Sequence, residues 1–189
     1  MPFRSEKMRI SRSDSSGYYA RALRAIGQDL TELFPQQLDI EYHGGSFAVR
    51  VRCDRKWAEK RSPPVEKTGL KNLFHKLVTY RLEKRAEDAE IATIEHNYGA
   101  DEIGELDRAG FRLRTQAGKV PAINNLGEAL RTIGRILDAE GGQLVRIFRD
   151  QRHVIFEYVE KNGAMHKTEM TRSELFKIQQ SYYEKRDGS

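Results

Sequence analysis

An α+β fold is predicted, made of an internally duplicated unit of helix, three-stranded antiparallel sheet and helix that forms one pseudo-dimeric domain. Three observations predict it. Ala22-Leu23-Arg24-Ala25-Ile26-Gly27 reads against Ala129-Leu130-Arg131-Thr132-Ile133-Gly134 at an offset of 107. The same ungapped offset sets Leu30 on Leu137, Leu38 on Val145, Ile40 on Ile147, Phe47 on Val154 and Val49 on Phe156. In both stretches apolar residues pass from three- and four-residue spacing, the helical period, to alternation, the strand period.

Residues 1–15 read as a disordered, mildly basic arm. The first copy spans 16–96. Tyr19, Leu23, Ile26, Leu30, Leu33 and Phe34 mark one helix face, ended by Pro35. Leu38, Ile40 and Tyr42 alternate with Asp39 and Glu41, Gly44-Gly45 turns the chain, and Phe47, Val49, Val51 and Cys53 alternate with Ala48, Arg50 and Arg52. A hairpin turning on Gly44-Gly45 sets Ile40 opposite Val49 and Asp39 opposite Arg50. The charged stretch from Asp54 to Lys60 lacks clean alternation, which leaves the third strand of this copy uncertain. The closing helix is expected to start near Thr68, to present Leu70, Leu73, Phe74, Leu77, Val78 and Leu82, and to run to about His96.

A connector spans 97–124, with a short helix over 101–109 and a short hairpin over 111–120. The second copy spans 125–189 and opens with a cap at Asn125-x-x-Glu128. Its hairpin sets Ile147 opposite Phe156 and Arg146 opposite Glu157. A loop with Gly163 in the left-handed region then aligns Phe156 with Thr168 and Glu157 with Lys167 in a third strand over 164–170. The capping box Thr171-x-x-Glu174 opens the last helix. Two such short sheets gain stability by joining edge to edge or by packing face to face. The element order resembles that of double-stranded-RNA-binding domains and of the Alu-binding proteins of the signal recognition particle. The lysine- and alanine-rich start of the second helix that marks the former is not present here.

The 189 residues carry 33 Lys and Arg against 28 Asp and Glu, a net charge of +5. That total hides a reversal. Residues 50–85 hold twelve basic and four acidic side chains, and residues 86–110 hold one basic and eight acidic. No run of apolar residues is long enough to span a membrane and no apolar signal core opens the chain, so a cytoplasmic protein is expected. Cys53 is the sole cysteine, which excludes an intramolecular disulfide and a multi-cysteine metal cage. Phosphate-cradling glycine motifs, nucleophile elbows and paired metal-binding histidines are absent from the sequence, so neither catalysis, cofactor nor metal is expected. A site built from His96, Asp101 and Glu105 fits a solvated helix start better than a metal.

The function expected is therefore non-catalytic binding of RNA or DNA through a basic strand, loop and helix. Arg50, Arg52, Arg55, Lys56, Lys60, Arg61 and Lys71 would contact phosphates, with Trp57 available to stack on a base. Arg146, Arg149 and Arg152 would extend that surface in the second copy. The bland counterpart is that Asp39 neutralises Arg50 and Trp57 caps the core. The alternative function is a protein–protein adaptor or chaperone-like subunit, or a homodimer, that uses Phe148, Ile155 and Val159. These lie on the strand face opposite Ile147 and Phe156 and need a cover.

Overall fold

A computed structural model of the chain describes residues 17–61, 79–84, 90–117 and 126–187. Helix α1 (Tyr18–Leu30) buries Leu23, Ile26 and Leu30, which recur along one stripe. A single 3-10 turn (Thr31–Leu33) tightens its end, and Phe34 follows at φ 47°, in the left-handed region, which stops the helix before Pro35. Strands β1 (Gln37–His43) and β2 (Ser46–Asp54) form the predicted hairpin. Gly44 and Gly45, at φ 55° and 93°, supply the positive values that a tight two-residue turn favours. Ile40 faces Val49 and Asp39 faces Arg50 across the pair.

The next stretch departs from expectation. Arg55–Arg61 is a helix, α2, and the third strand of this half comes from further along the chain. Instead of a closing helix reaching His96, the chain forms β3 (Thr79–Lys84) and β4 (Glu90–Tyr98). Ile91, Ala92, Thr93 and Ile94 are buried in succession, so both faces of β4 are covered. A strand covered on both sides reads as a continuous apolar run, and its β-branched residues favour extended backbone. Lys71, Ser62-Pro63-Pro64 and the apolar residues from Leu70 to Val78 lie outside the described residues, as does the arm over 1–15.

Helix α3 (Ala100–Ala117) is continuous and replaces the short helix and hairpin expected within the connector. Asn125 lies outside the described residues. From there α4 (Leu126–Glu140), β5 (Gln143–Arg149), β6 (His153–Val159), β7 (Met165–Thr171) and α5 (Arg172–Asp187) follow the predicted order. Ile147 faces Phe156, Arg146 faces Glu157 and Glu157 faces Lys167, as the turn positions require. Gly163 stands at φ 87°. The capping box forms: the Thr171 amide donates to the Glu174 carboxylate at 2.7 Å and the Glu174 amide donates to Thr171 Oγ1 at 3.2 Å.

The seven described strands join in one antiparallel sheet ordered β3-β4-β2-β1-β5-β6-β7, joined edge to edge and not as two three-stranded sheets packed face to face. The seam is β1 against β5, where Ile40 lies opposite Ile147. Joining there removes two exposed edges. Every described helix packs on the same face, since Ala58 of α2, Ile103 of α3 and Leu175 of α5 belong to the core shared by α1 and α4. Helices α1 and α4 meet backbone to backbone. A Cβ on Gly27 would lie 2.7 Å from Cα of Gly127, and one on Gly134 would lie 2.5 Å from Cα of Ala20.

Polar groups buried in this layer are matched across helices. Asp138 of α4 accepts from the Tyr19 and Ala20 amides at 3.0 and 2.9 Å, which satisfies two of the amides that the α1 N-terminus leaves free, although burial still raises its pKa above the ordinary carboxylate value. Arg21 and Arg24 of α1 each reach Asp107 of α3, at 3.2 and 3.1 Å. On the other side Glu128 of α4 accepts from the Tyr183 hydroxyl of α5 at 2.7 Å, and Arg131 lies 3.8 Å from the same carboxylate. No described helix is long and apolar enough to cross a membrane.

Candidate functional site

Because strand side chains alternate, the face of the sheet away from the helices collects the residues between the core positions. In the first half these include Arg50, Arg52, Glu83 and Glu95. Arg50 donates to Glu95 at 2.9 Å, and Arg52 donates to Glu83 at 2.7 Å and to Gln37 at 3.0 Å. At the end of β2, Arg55 bonds Glu59 at 2.7 Å and also reaches Glu90. Those bonds, Glu90 first, hold the Arg55 guanidinium more firmly charged than usual. Asp39 does lie opposite Arg50, but its carboxylate turns the other way and takes a bidentate pair from Arg146 at 2.8 and 2.6 Å. Asp39 is the leading cause of the upward shift of the Arg146 pKa.

The remaining predicted residues lie apart. Lys56 and Lys60 sit one turn apart on α2, exposed, with ammonium nitrogens 5.4 and 5.5 Å from the centre of the Trp57 ring. Trp57 is half-buried against the core and packs on Phe34, whose ring centre is 4.8 Å away and whose surface is 63% exposed. Arg61 closes α2, though its side chain and Lys71 lie outside the described residues. Arg149 points to the helix side and is 8% exposed; burial, then the charge of Arg172, pulls its pKa down to about 10. Arg152 is exposed in the β5–β6 turn, where its amide donates to Asp150 at 2.7 Å. The predicted cations thus do not share one face, and four of the arginines are matched by acids.

In the second half the same outer face is apolar at its centre. Phe148 and Ile155 lie directly opposite each other across β5 and β6, half-buried, while their neighbours Ile147 and Phe156 fill the core. They floor a cleft of about 280 Å³ whose other lining residues are Arg146, Glu157 and Lys167. Val159 is half-buried on the same face, opposite Gln143, and does not line the cleft. Glu157 and Lys167 were legible as a cross-strand pair but not as the rim of a site. The acids Glu83, Glu90 and Glu95 were legible only as charge in the sequence.

His96 bonds Glu102 at 2.8 Å, and among the described residues no group of three His, Cys, Asp or Glu side chains could hold a metal. Cys53 is buried, and burial pushes its thiol up to about 11. Comparison with protein-family models, curated proteins and solved structures finds no match to this chain.

Proposed function

We propose that the protein is a non-catalytic protein-binding module whose partner lies on the outer sheet face over β5, β6 and β7. The observation that carries this is the Phe148–Ile155 pair, an apolar floor with a charged rim and no described helix over it. An extended segment bearing one large apolar side chain between charged neighbours fits such a cleft. Random-peptide selection tests this. Selection on the wild-type protein is expected to enrich peptides with that pattern, and Phe148→Ser with Ile155→Ser is expected to abolish their binding while the fold persists. Peptides that bind both proteins equally, or no enrichment, would overturn the reading.

A second reading, contact with RNA or DNA, is favoured by the Phe34, Trp57, Lys56 and Lys60 patch, where two cations flank an aromatic pair. It calls for binding that weakens steeply with salt and is lost on Lys56→Glu with Lys60→Glu. Salt-insensitive or absent binding to both nucleic acids sinks it.

We also infer that 17–117 and 126–187 are copies of one unit, related by a two-fold at the seam. A two-fold through the Ile40–Ile147 pair exchanges those residues, which is what the offset of 107 does. Under the same offset the Gly27–Gly127 contact becomes the Gly134–Ala20 contact. Asp39 and Arg146, the bidentate pair, are also exchanged.

A further inference from the structure

Strands β3 and β7 are the two edges of the sheet that the described residues form. β3 lies along β4, and among the described residues no strand lies along the outer side of β7. The direction of the β7 backbone groups follows from the ends of its ladder with β6. The Arg172 amide donates to the Arg152 carbonyl at 3.0 Å, and the Glu160 amide donates to the Ala164 carbonyl at 2.9 Å. Hydrogen-bonded pairs alternate along an antiparallel ladder, so the even-numbered residues of β7 bond inward to β6. Met165, Lys167, Glu169 and Thr171 therefore present their amides and carbonyls outward. The Thr171 amide is already taken by Glu174, as an outward group would be. Lys167 and Glu169 are both exposed, and Met165 is 61% exposed.

A strand of this kind accepts another antiparallel strand, and the β7 sequence selects which one. If a second β7 pairs with the first about a two-fold at Thr168, Lys167 falls opposite Glu169 of the other copy, and Glu169 opposite its Lys167. Both pairs carry outward backbone groups, so each exchanges two hydrogen bonds. Both also place opposite charges directly across from one another. Sliding the register by one hydrogen-bonded step in either direction sets Lys167 against Lys167 or Glu169 against Glu169, which is repulsive. At the centre, Thr168 meets Thr168, a favourable cross-strand pair. We propose that β7 is a homodimerisation edge, in which two copies pair antiparallel about Thr168 and the two sheets continue into one.

The proposal is independent of what occupies the Phe148–Ile155 cleft, because it uses the strand edge and not the sheet face. Sedimentation of the full chain across a concentration series tests it. The expected result is a dimer of twice 21.8 kDa that dissociates on dilution. Lys167→Glu and Glu169→Lys, taken singly, each turn two attractive pairs into two repulsive ones, and each is expected to raise the dimer dissociation constant by about tenfold or more. The double variant K167E/E169K restores opposite charges in this register alone and is expected to return the constant to near the wild-type value. Circular dichroism of each variant checks that the monomer fold persists, since Lys167 also faces Glu157 within the sheet. A monomer at every concentration, or a dimer indifferent to both single reversals, would overturn the proposal. So would a double variant as weak as the single ones.

Discussion

The two ends of the described sheet, and the helices packed on them, carry different chemistry. Where α1 meets α3, two buried arginines share the carboxylate of Asp107; where α4 meets α5, a buried glutamate takes a hydroxyl from Tyr183 and stands beside Arg131. On the outer face, Arg50 and Glu95 form an ion pair across β2 and β4, whereas the pair facing each other across β6 and β7 is Glu157 and Lys167, with the signs exchanged. Next to the first pair lies a second ion pair, Arg52 with Glu83; next to the second lies the apolar floor of Phe148 and Ile155. The difference teaches that a basic stretch need not give a basic surface: Arg50, Arg52 and Arg55, its described arginines, are each matched by an acid within the fold. The mildly basic half keeps the uncovered surface.

Substitutions in the two halves sharpen that contrast, and the largest effect is at the seam. Ile40→Ala and Ile147→Ala each delete a fully buried side chain at the joint between the halves, and each is expected to cost about 4 kcal/mol. A symmetric seam makes the two costs agree to within about 0.5 kcal/mol in guanidinium denaturation; a clear asymmetry would break the equivalence of the halves. Next comes Asp107→Ala, which strips a buried carboxylate from two buried guanidinium groups and should destabilise by about 3 kcal/mol. Its counterpart, Tyr183→Phe, removes one hydrogen bond to a carboxylate and should cost about 1.5 kcal/mol. Smaller again is Thr171→Ala at the start of α5, about 1 kcal/mol by loss of the cap, read as a shift in the thermal midpoint.

Cys53 supplies a pH-dependent test confined to the first half. In the unfolded chain the thiol ionises near its usual value of about 9, and in the folded protein only near 11. Between those values the folded state holds the extra proton, so stability falls as pH rises through the window. A thiol reagent at pH 8 is expected to label Cys53 slowly in the native protein and fully in denaturant. Fast labelling of the native protein would show that the β2 face is open.

Local signals account for what could be read from the chain in advance. The Gly44-Gly45 turn fixed the first hairpin register, the turns around β6 fixed those of the second half, and Thr171 with Glu174 marked the start of α5. The stretch from 79 to 98 was misread because Ile91 and Ile94 are three apart, a helical spacing, while Ile91 to Ile94 also satisfies a strand buried on both sides. Only the neighbours β2 and β3 decide between them, and β2 is some forty positions away in the chain. The pairing of the basic residues could not be read for the same reason. Glu83, Glu90 and Glu95 follow the arginines in sequence, yet which acid meets which arginine depends on the strand order, and a charge count along the chain cannot contain it. The Phe148–Ile155 pair could be read because both of its strands belong to one hairpin.

The seam between β1 and β5 also sets a timetable for folding. Ile40 has its hairpin partner within ten residues but meets Ile147 only after 107 further positions have been made. Pairings over such separations close slowly, since the intervening chain must be confined first. During synthesis β1, which ends as the central strand of the sheet, spends its time as a bare edge, and α1 waits with Gly27 and Ala20 uncovered until α4 arrives. Among the described strands, the join at the centre is the one that closes the longest stretch of chain.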